Sequence, residues 1–581
     1  MEKLDCVVVG AGWYGLAAAK QFHSTHPNCS LAILDSQSSL GGTWAEGRLY
    51  PGLKSNNLLG TYEYPDFPMT SANFGIDGLI RLESKVLVAE HAEEGGWTLT
   101  IATSKQEESR IYARRLIIAT GLTSEAFLPH FEGQETFGGK VFHGKDFQRN
   151  SETLKTAKAV TVFGATKFAW DAVYAYATAG VKVNWVIRSS GHGPCWIAPT
   201  HVTPLKKWLE KLTNTRFLTW FSPCIWGDAD GYKIRNVYHS TVIGRSIVNA
   251  FWKILGSDVL TLNNYDAHPE TAKLKPWTEA MFTGASFSIL NYEQDILKIV
   301  QSDKVDVYVG EIDHLSPGKV HLADGTEFGS DAFLANTGWK HVPGIKFLPE
   351  GIEKELGIPH QPAEATDDSA SPEDLANNHD LLERADQEIL ERFPRLKEQP
   401  IWNKDYVPLT DQNGISSKDE VTPCKPLTPY MLYRFLVPPS ARFLRTRDMA
   451  FTGIISNLSA AMTAHVTALW ISAYFAGKLA IDPAMAIDDE ASLKSMQYQT
   501  VLYNRWGKWR YPTDWGNKSP SFIFDAVPYF DLLQRDLGLS PYRKGGWLAE
   551  ISAPYGPEDY RNINEEWTTK YGAVKSPPAS S

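Results

Sequence analysis

Short apolar runs that end in glycine-rich turns recur along the chain and predict the strands of a buried sheet. The first run, Cys6–Val9, is followed by an alanine-rich segment from Leu16 to Phe22, which has the composition of a helix. A second apolar run, Leu31–Leu34, follows that helix. Strand, helix and strand in this order are typical of a βαβ unit, so the pattern predicts an α/β fold.

The turn after the first strand has the sequence GAGWYG at residues 10–15. A G-x-G-x-x-G motif between a strand and a helix predicts a dinucleotide site. Gly10 permits the tight turn, Gly12 lets the backbone approach a pyrophosphate, and Gly15 lets the helix pack closely on the strand. Asp35 follows the second strand about 20 residues later, where an acid accepts hydrogen bonds from the ribose hydroxyls.

A second, altered glycine motif follows the apolar run Val160–Phe163. It keeps Gly164, but Thr166 stands where the second glycine is expected, and Lys167 could offer a cation to the pyrophosphate instead. The next predicted strand ends in Arg188 rather than in an acid. An arginine at this position suits the 2′-phosphate of NADP, so the sequence favours NADPH over NADH.

Three motifs follow Asp35 in a fixed order: LGGTW at 40–44, YPGLKSN at 50–56 and YPDFP at 64–68. This succession resembles the flavin-containing monooxygenases and the related Baeyer–Villiger monooxygenases. The segment from Phe137 to Phe147 also resembles the family fingerprint F-x-G-x-x-x-H-x-x-x-(W/F/Y). Weaker similarity continues through ATG at 119–121, DAFLANTGW at 331–339, FTG at 451–453 and YFDLLQRDLGL at 529–539.

The resemblance implies that FAD occupies the first site and NADPH the second. Asn56 would lie near the flavin ring as a catalytic residue, and His143 would couple nicotinamide binding to domain movement. Outside the fingerprint, a histidine such as His143 is more often structural. The resemblance assigns FAD contacts to the glycine motif and to Asp35, Thr43, Trp44, Ser55, Asn56 and Gly121.

These features predict an NADPH- and O₂-dependent flavin monooxygenase that oxygenates a small organic substrate, such as a secondary metabolite, through a C4a-(hydro)peroxyflavin. Hydroxylation or heteroatom oxidation is favoured, because Lys273 to Leu290 contains no arginine to stabilise a peroxide anion and the fingerprint ends in Phe147. Baeyer–Villiger oxidation of a ketone is the first alternative. A flavin oxidoreductase that does not oxygenate, or a non-catalytic dinucleotide-binding protein, is the second.

The predicted organisation has two Rossmann-like domains, the second inserted in the first, with a substrate-side insertion and a C-terminal extension. The connection from Met69 to Ile80 departs from the family pattern, since a helix of roughly 20 residues expected there is missing. The predicted parts are an FAD-binding domain at 1–155 and 335–485 with an acidic loop at 362–390, an NADP-binding domain at 156–334 with an aromatic-rich insertion at 194–276, and an extension at 486–581.

Composition narrows the possible partners of this 581-residue chain. Its net charge is −10 and it has no long basic run, which argues against nucleic acid. Its five cysteines are far apart, so neither a disulfide framework, nor a metal site, nor the redox-active cysteine pair of disulfide reductases is predicted. Without a recognisable signal peptide or membrane span, a cytoplasmic protein is expected.

Overall fold

The computed structural model describes residues 1–57, 60–66, 75–104, 107–202, 207–226, 232–284, 286–362, 373–398, 404–416, 427–512, 518–519 and 521–572. Several sequence features therefore lie partly or wholly outside the described residues. They are the end of the YPDFP motif, much of the connection at 69–80, the first part of the acidic loop, Cys424 and the C-terminal tail.

The strands and helices of the described residues are numbered in chain order. The strands are β1 (Glu2–Leu4), β2 (Cys6–Val9), β3 (Leu31–Leu34), β4 (Ile80–Arg81), β5 (Ser84–His91), β6 (Trp97–Thr103), β7 (Glu108–Ala113), β8 (Leu116–Ile118), β9 (His130–Phe131), β10 (Lys140–His143), β11 (Ala159–Phe163), β12 (Lys182–Ile187), β13 (Ile197–Ala198), β14 (His201–Val202), β15 (Lys207–Trp208), β16 (Ser288–Ile289), β17 (Val305–Val309), β18 (Ile312–Ser316), β19 (Lys319–Leu322), β20 (Glu327–Gly329), β21 (Ala332–Ala335), β22 (Lys346–Leu348), β23 (Ile415–Ser416) and β24 (Met449–Phe451). The α-helices are α1 (Trp13–Thr25), α2 (Thr153–Thr156), α3 (Lys167–Thr178), α4 (Leu209–Thr213), α5 (Arg216–Thr219), α6 (Tyr232–Ser240), α7 (Val242–Asn263), α8 (Pro269–Ala272), α9 (Ile296–Val300), α10 (Glu353–Leu356), α11 (His379–Arg392), α12 (Ala441–Thr446), α13 (Ala460–Phe475), α14 (Glu490–Arg510), α15 (Ala526–Asp536), α16 (Trp547–Ser552) and α17 (Ile563–Tyr571).

The first sheet is fully parallel, with strand order β24-β8-β2-β3-β4. The predicted strands Cys6–Val9 and Leu31–Leu34 are confirmed with those bounds. The helix between them is longer than predicted, because α1 already begins at Trp13 beside the glycine turn. α13 packs against α1 and is buried along nearly its whole length, since both sides of this helix are apolar.

The second sheet is also parallel, with strand order β10-β21-β11-β12-β17. The predicted strand Lys182–Ile187 is confirmed, and β11 begins one residue earlier than predicted, at Ala159. β10 carries the fingerprint histidine into this sheet, where it pairs with β21. The two parallel sheets, each opening with a strand, a glycine turn and a helix, confirm the predicted α/β fold with two dinucleotide-type units.

Among the remaining sheets of the described residues, the two that have three or more strands contain antiparallel pairs. The five-stranded sheet β1-β7-β6-β5-β22 is antiparallel at its centre, and β18, β19 and β20 form a three-stranded meander. In the aromatic-rich region, Arg216 of α5 is buried and pairs with Asp531 of α15 and Glu550 of α16. This region is therefore fixed to the C-terminal helices.

Two further observations concern binding partners. No disulfide joins Cys6, Cys29, Cys195 and Cys224 to one another, and no group of three metal-ligating side chains occurs in the part of the chain that the structure describes. Among those same residues, no helix is both long and apolar enough to cross a bilayer.

Candidate active site

A cavity of about 1080 Å³ lies at the carboxyl ends of the strands of the first sheet. This is the edge at which open α/β sheets bind their ligands. The volume is at the upper end of the usual range for small-molecule sites, about 300–1,000 Å³, and suits a large cofactor. Six of the predicted site residues line it: Gly10, Gly12, Asp35, Thr43, Asn56 and Gly121.

The glycine turn is as tight as the motif requires. Gly10 has a φ of +113°, and a Cβ there would lie 2.4 Å from the carbonyl oxygen of Ala119. A Cβ on Gly15 would lie 1.8 Å from the carbonyl oxygen of Gly10, so only glycine lets α1 approach β2 this closely. At Gly12 a Cβ would meet its nearest neighbour at an ordinary 3.5 Å, and this glycine faces the cavity.

The N-terminus of α1 is open towards the cavity. Gly12 is its N-cap, no side chain caps the helix, and Gly12, Trp13 and Tyr14 all line the cavity. The free N–H groups and positive dipole of such a terminus suit a pyrophosphate. Asp35 accepts hydrogen bonds from the backbone N–H of Ala11, at 2.6 Å, and of Gln37, at 2.8 Å, which fixes its carboxylate at the cavity edge.

The cavity wall also holds a polar atom that suits a bound cofactor. The side chain of Asn457 donates to Thr463 at 2.6 Å, but its carbonyl oxygen is buried and has no hydrogen-bond partner among the described residues. Such buried acceptors are uncommon in folded proteins and indicate a missing donor. The open helix terminus, the fixed carboxylate and this acceptor together fit a dinucleotide such as FAD.

Residues that lie outside the first sheet hold the loop that carries Asn56. The side-chain oxygen of Asn56 accepts from the backbone N–H of Ile289 at 3.4 Å. The side chain of Asn291 donates to the carbonyl oxygen of Ser55 at 2.8 Å. The hydroxyl of Ser55 is bonded to Asn57, so Ser55 shapes the loop and does not line the cavity.

Glu210 of α4 is a buried residue of this site that sequence reasoning missed. The residue is 4% exposed, and its carboxylate accepts from Asn57, at 2.7 Å, and from Thr61, at 2.6 Å. Asn57 also donates to the carbonyl oxygen of Leu458, which lines the cavity. No sequence signal connects residues this far apart. Only the folded structure shows that the aromatic-rich region is hydrogen-bonded to the loop that carries Asn56.

Aromatic side chains form the wall beside the GGTW turn. The indole N–H of Trp44 donates to the hydroxyl of Tyr62 at 2.9 Å, and the ring of Tyr62 lies 4.5 Å from that of Trp13. Tyr62, Trp13 and Thr43 line the cavity, whereas Trp44 stands behind them. Burial raises the pKa of Tyr62 to about 12, so its hydroxyl keeps its proton at neutral pH.

Two basic side chains of the cavity, Arg48 and Lys145, were not predicted from the sequence. Arg48 donates to the carbonyl oxygen of Thr123 at 3.0 Å, and its guanidinium lies 5.4 Å from the ring centre of Trp339. Lys145 donates to the carbonyl oxygen of Ser124. Arg48 and Lys145 both line the cavity, and burial lowers the pKa of each. Arg48 follows the GGTW turn closely enough that the motif could have pointed to it.

His143 lies behind these basic side chains and does not line the cavity. Its Nδ1 atom accepts from the backbone N–H of Lys145 at 3.0 Å, and its ring packs edge-on against Trp339 at 4.9 Å. Burial lowers the pKa of His143 to about 4, so the ring is neutral at physiological pH. His143 therefore contacts Lys145, which lines the cavity, and Trp339, which packs against the cavity residue Arg48.

The second glycine motif forms a tight turn, but its lysine is paired with a carboxylate of the same helix. Gly164 has a φ of +124°, and a Cβ there would lie 2.8 Å from Asn336. Thr166 is the N-cap of α3 and accepts from Asn336 at 3.2 Å. Lys167 pairs with Asp171 one helical turn later at 2.5 Å. A role for Lys167 at a pyrophosphate requires this pair to open.

Arg188 lies at the end of β12, as the sequence places it. Its guanidinium donates to the carbonyl oxygen of Val407 at 2.9 Å, and burial lowers its pKa. Glu311, beyond the end of the neighbouring β17, accepts from the hydroxyl of Ser189 and the backbone N–H of Ser190, both at 2.7 Å. This strand end thus presents a cation beside a carboxylate, and neither Arg188 nor Lys167 lines the large cavity.

The chain is similar to known proteins in both sequence and fold. The family described as pyridine nucleotide-disulphide oxidoreductase matches residues 4–196, which contain both glycine motifs. The polycyclic ketone monooxygenase of the thermophilic fungus Thermothelomyces thermophila has the same fold, with a TM-score of 0.56 at 15% identity over 92% of this chain and 88% of its own.

Two fungal relatives are similar along nearly the whole sequence. An FAD-dependent monooxygenase of Pyrenophora dematioidea is 30% identical over 94% of this chain and 100% of its own. The FAD-dependent monooxygenase resA of Aspergillus sclerotiorum is 30% identical over 602 aligned residues, which cover 97% of this chain and 98% of its own. With that likeness over almost its full length, the chain belongs to the FAD-dependent monooxygenases.

Proposed function

We propose that the cavity binds FAD with its pyrophosphate at the N-terminus of α1 and its ring near Asn56. The cavity is the observation that carries this proposal, because it runs from the glycine turn to the Asn56 loop without interruption. Asp35 would hold the ribose, and Thr43 and Gly121 would contact the cofactor from either side. Bound FAD supplies hydride acceptance and the activation of O₂ for transfer of one oxygen atom.

The roles of the surrounding residues follow from their contacts. Asn56 presents a side-chain amide at the cavity, held in place by Ile289 and, through Asn57, by Glu210. Phe287 and Ile455 line the cavity with apolar surface, which would limit the access of water and so the loss of activated oxygen as peroxide. The neutral ring of His143 would transmit movements of the second sheet to Lys145.

We further propose that the electron donor is NADPH and that it binds at the second glycine motif. Gly164 would admit its pyrophosphate to the N-terminus of α3, where Thr166 leaves the backbone N–H groups uncapped. Arg188 would bind the 2′-phosphate after leaving the carbonyl of Val407. The chain would then be divided as the sequence suggests, with the NADP-binding domain at 156–334 inserted between the two parts of the FAD-binding domain.

The reaction proposed is hydroxylation or heteroatom oxidation of a small organic substrate. The segment from Lys273 to Leu290, which includes the Ile289 that holds Asn56, contains no arginine. This favours electrophilic oxygen transfer, because Baeyer–Villiger oxidation needs a cation beside the reacting oxygen.

Incubation with ¹⁸O₂, NADPH and two probes, an aryl methyl sulfide and a cyclic ketone, tests this choice. The expected product is a sulfoxide carrying one ¹⁸O atom, with no lactone from the ketone. Lactone formation at a comparable rate would contradict the proposed reaction but not the oxygenase activity. Label-free products from both probes would contradict oxygen transfer itself.

Replacement of Arg188 by alanine is expected to raise the KM for NADPH about 10- to 100-fold, since a charge-assisted hydrogen bond contributes about 1.5–3 kcal/mol. The KM for NADH should change less than about twofold, because NADH lacks the phosphate that the guanidinium would bind. Steady-state NADPH and NADH oxidation measure both values. Arg110→Ala provides the control, because Arg110 is an exposed arginine of β7 that does not line the large cavity. An equal rise for both nucleotides in the Arg188→Ala variant would contradict the assignment.

A further inference from the structure

The helical hairpin of α6 and α7 carries an unusual amount of exposed apolar surface. The two helices meet closely, since a Cβ on Gly244 would lie 2.1 Å from the carbonyl oxygen of Val237. Thr241 caps α7 through the backbone N–H of Gly244 at 3.0 Å, so the turn between them is well defined. Its exposed large apolar side chains are Ile234 (39%), Val237 (53%), Val242 (72%), Ile243 (76%), Ile247 (44%), Ile254 (60%) and Leu262 (53%).

These side chains form a continuous stripe on α7. Ile243, Ile247, Ala250 and Ile254 follow the i, i+4, i+7, i+11 spacing of one helix face, and all four are exposed. The opposite face packs on the protein through Val248, Trp252, Leu255 and Val259. A helix that is apolar on both faces is normally buried on both, so the outer face of α7 requires a partner.

The charge of the hairpin indicates which partner it fits. Residues 232–263, which span the two helices, contain two lysines, two arginines and one acidic residue, Asp258, although the whole chain has a net charge of −10. Lys233 and Lys253 are exposed and Arg245 is half-buried, so three of the four cations lie at or near the surface. Apolar side chains flanked by lysine and arginine are the pattern of a helix that lies in the interface of an anionic bilayer.

We propose that the α6–α7 hairpin is a membrane-docking surface that binds anionic phospholipid. Ile243, Ile247 and Ile254 insert below the headgroups, and Lys233 and Lys253 contact the phosphates. The hairpin lies in the surface of the bilayer, and no described helix is both long and apolar enough to cross it.

A second copy of the chain fits this surface less well. Two-fold dimers bring the same patch of both subunits together, so the basic hairpin would face an equally basic one. Pairing through the centre of α7, near Ala250, would place Arg245 of one copy beside Lys253 of the other. Like charges opposed in an apolar interface are destabilising, whereas lipid phosphates neutralise them.

Flotation of the purified FAD-loaded protein with vesicles of phosphatidylcholine, with and without phosphatidylserine, tests the proposal. The wild-type protein is expected to float with the phosphatidylserine vesicles, and less so as salt is raised. Lys233→Ala with Lys253→Ala should weaken binding about 30-fold, since each basic residue near the surface contributes about a factor of five. Ile243→Asp with Ile247→Asp should weaken it at least as much, because these side chains no longer enter the apolar layer.

The controls separate docking from general stickiness and from misfolding. Met485→Asp and Leu548→Asp remove apolar side chains that are 63% and 62% exposed elsewhere on the protein, and they should float like the wild type. Every variant should keep the flavin spectrum of the wild-type protein. The proposal is overturned if the wild-type protein fails to float or if the control variants lose binding equally. It is also overturned if the wild-type protein is a dimer that only the Ile243→Asp and Ile247→Asp substitutions dissociate, and neither the dimer nor the monomer binds vesicles.

Discussion

Gly15→Ala is expected to destabilise the chain by about 3 kcal/mol or more and to yield protein without flavin. The new Cβ would lie 1.8 Å from the carbonyl oxygen of Gly10, which is backbone and cannot rotate away. Either α1 moves off β2 or the glycine turn opens, and overpacking of this kind costs about 1–3 kcal/mol or occasionally more. Urea unfolding and the absorbance of protein-bound flavin after desalting measure the two effects.

Two other glycines of the chain serve as controls for this prediction. At Gly12 an added Cβ makes only ordinary contacts, so Gly12→Ala should fold with a loss of about 1 kcal/mol while weakening FAD binding at the cavity. At Gly78 an added Cβ meets nothing within 4 Å, so Gly78→Ala should resemble the wild type in both respects. A Gly15→Ala protein with wild-type stability and flavin content would contradict the close helix–strand contact.

The protein is expected to lose stability steeply as the pH falls below about 6.5. Burial lowers the pKa of five enclosed histidines, to about 4 for His143 and about 3 for the others: His26, His239, His341 and His465. Their folded pKa values lie below the value of about 6.5 in the unfolded chain, so the unfolded state binds more protons between these limits. The free energy of unfolding is therefore unaffected above pH 7 and decreases as the pH falls from about 6.5 towards 4.

The slope of this loss is large. At pH 5.5 the unfolded chain carries about nine-tenths of a proton on each of the five histidines, and the folded protein carries almost none. The free energy of unfolding should then fall by about 6 kcal/mol per pH unit, a large part of the stability of most proteins. Urea unfolding at a series of pH values measures the slope.

Single substitutions identify the histidines as the cause. His239→Gln should remove about one-fifth of the slope, because it removes one of the five histidines. The fold should be kept, because the glutamine amide can still donate to the carbonyl oxygen of Trp220, which lies 3.1 Å from Nε2 of His239. Met485→Gln, at an exposed residue that does not titrate, should leave the slope unchanged. Equal stability of the wild-type protein at pH 5.5 and pH 7.5 would contradict this account.

Much of the first dinucleotide unit could be predicted from sequence, because its determinants are local. The glycine turn, the flanking strands and Asp35 lie within about one βαβ unit, and each has a direct steric or hydrogen-bonding reason. The same holds for the order of motifs from GGTW to the fingerprint. The predictions of an FAD-dependent monooxygenase and of its α/β fold are confirmed by the full-length relatives and by the two parallel sheets.

The remaining features depend on contacts between distant segments. Glu210 meets Asn57 across 153 positions, and Arg188 meets Val407 across 219, so neither pairing leaves a local pattern. Lys167 shows a different limit, since its i+4 partner Asp171 is visible in the sequence and competes with a phosphate for the lysine. The exposed stripe on α7 could not be read from sequence either, because both faces of that helix are apolar.

Anaerobic addition of NADPH to the FAD-loaded protein, followed by admission of O₂, tests the central claim most directly when flavin absorbance is recorded throughout. We expect the wild-type flavin to bleach with NADPH and to regain its oxidised spectrum only after a delay in which the activated oxygen is held in the cavity. Asn56→Ala should bleach as well, but should reoxidise without delay and release hydrogen peroxide. The account would be contradicted by a wild-type protein that binds no FAD, or by one in which NADPH fails to reduce the bound flavin.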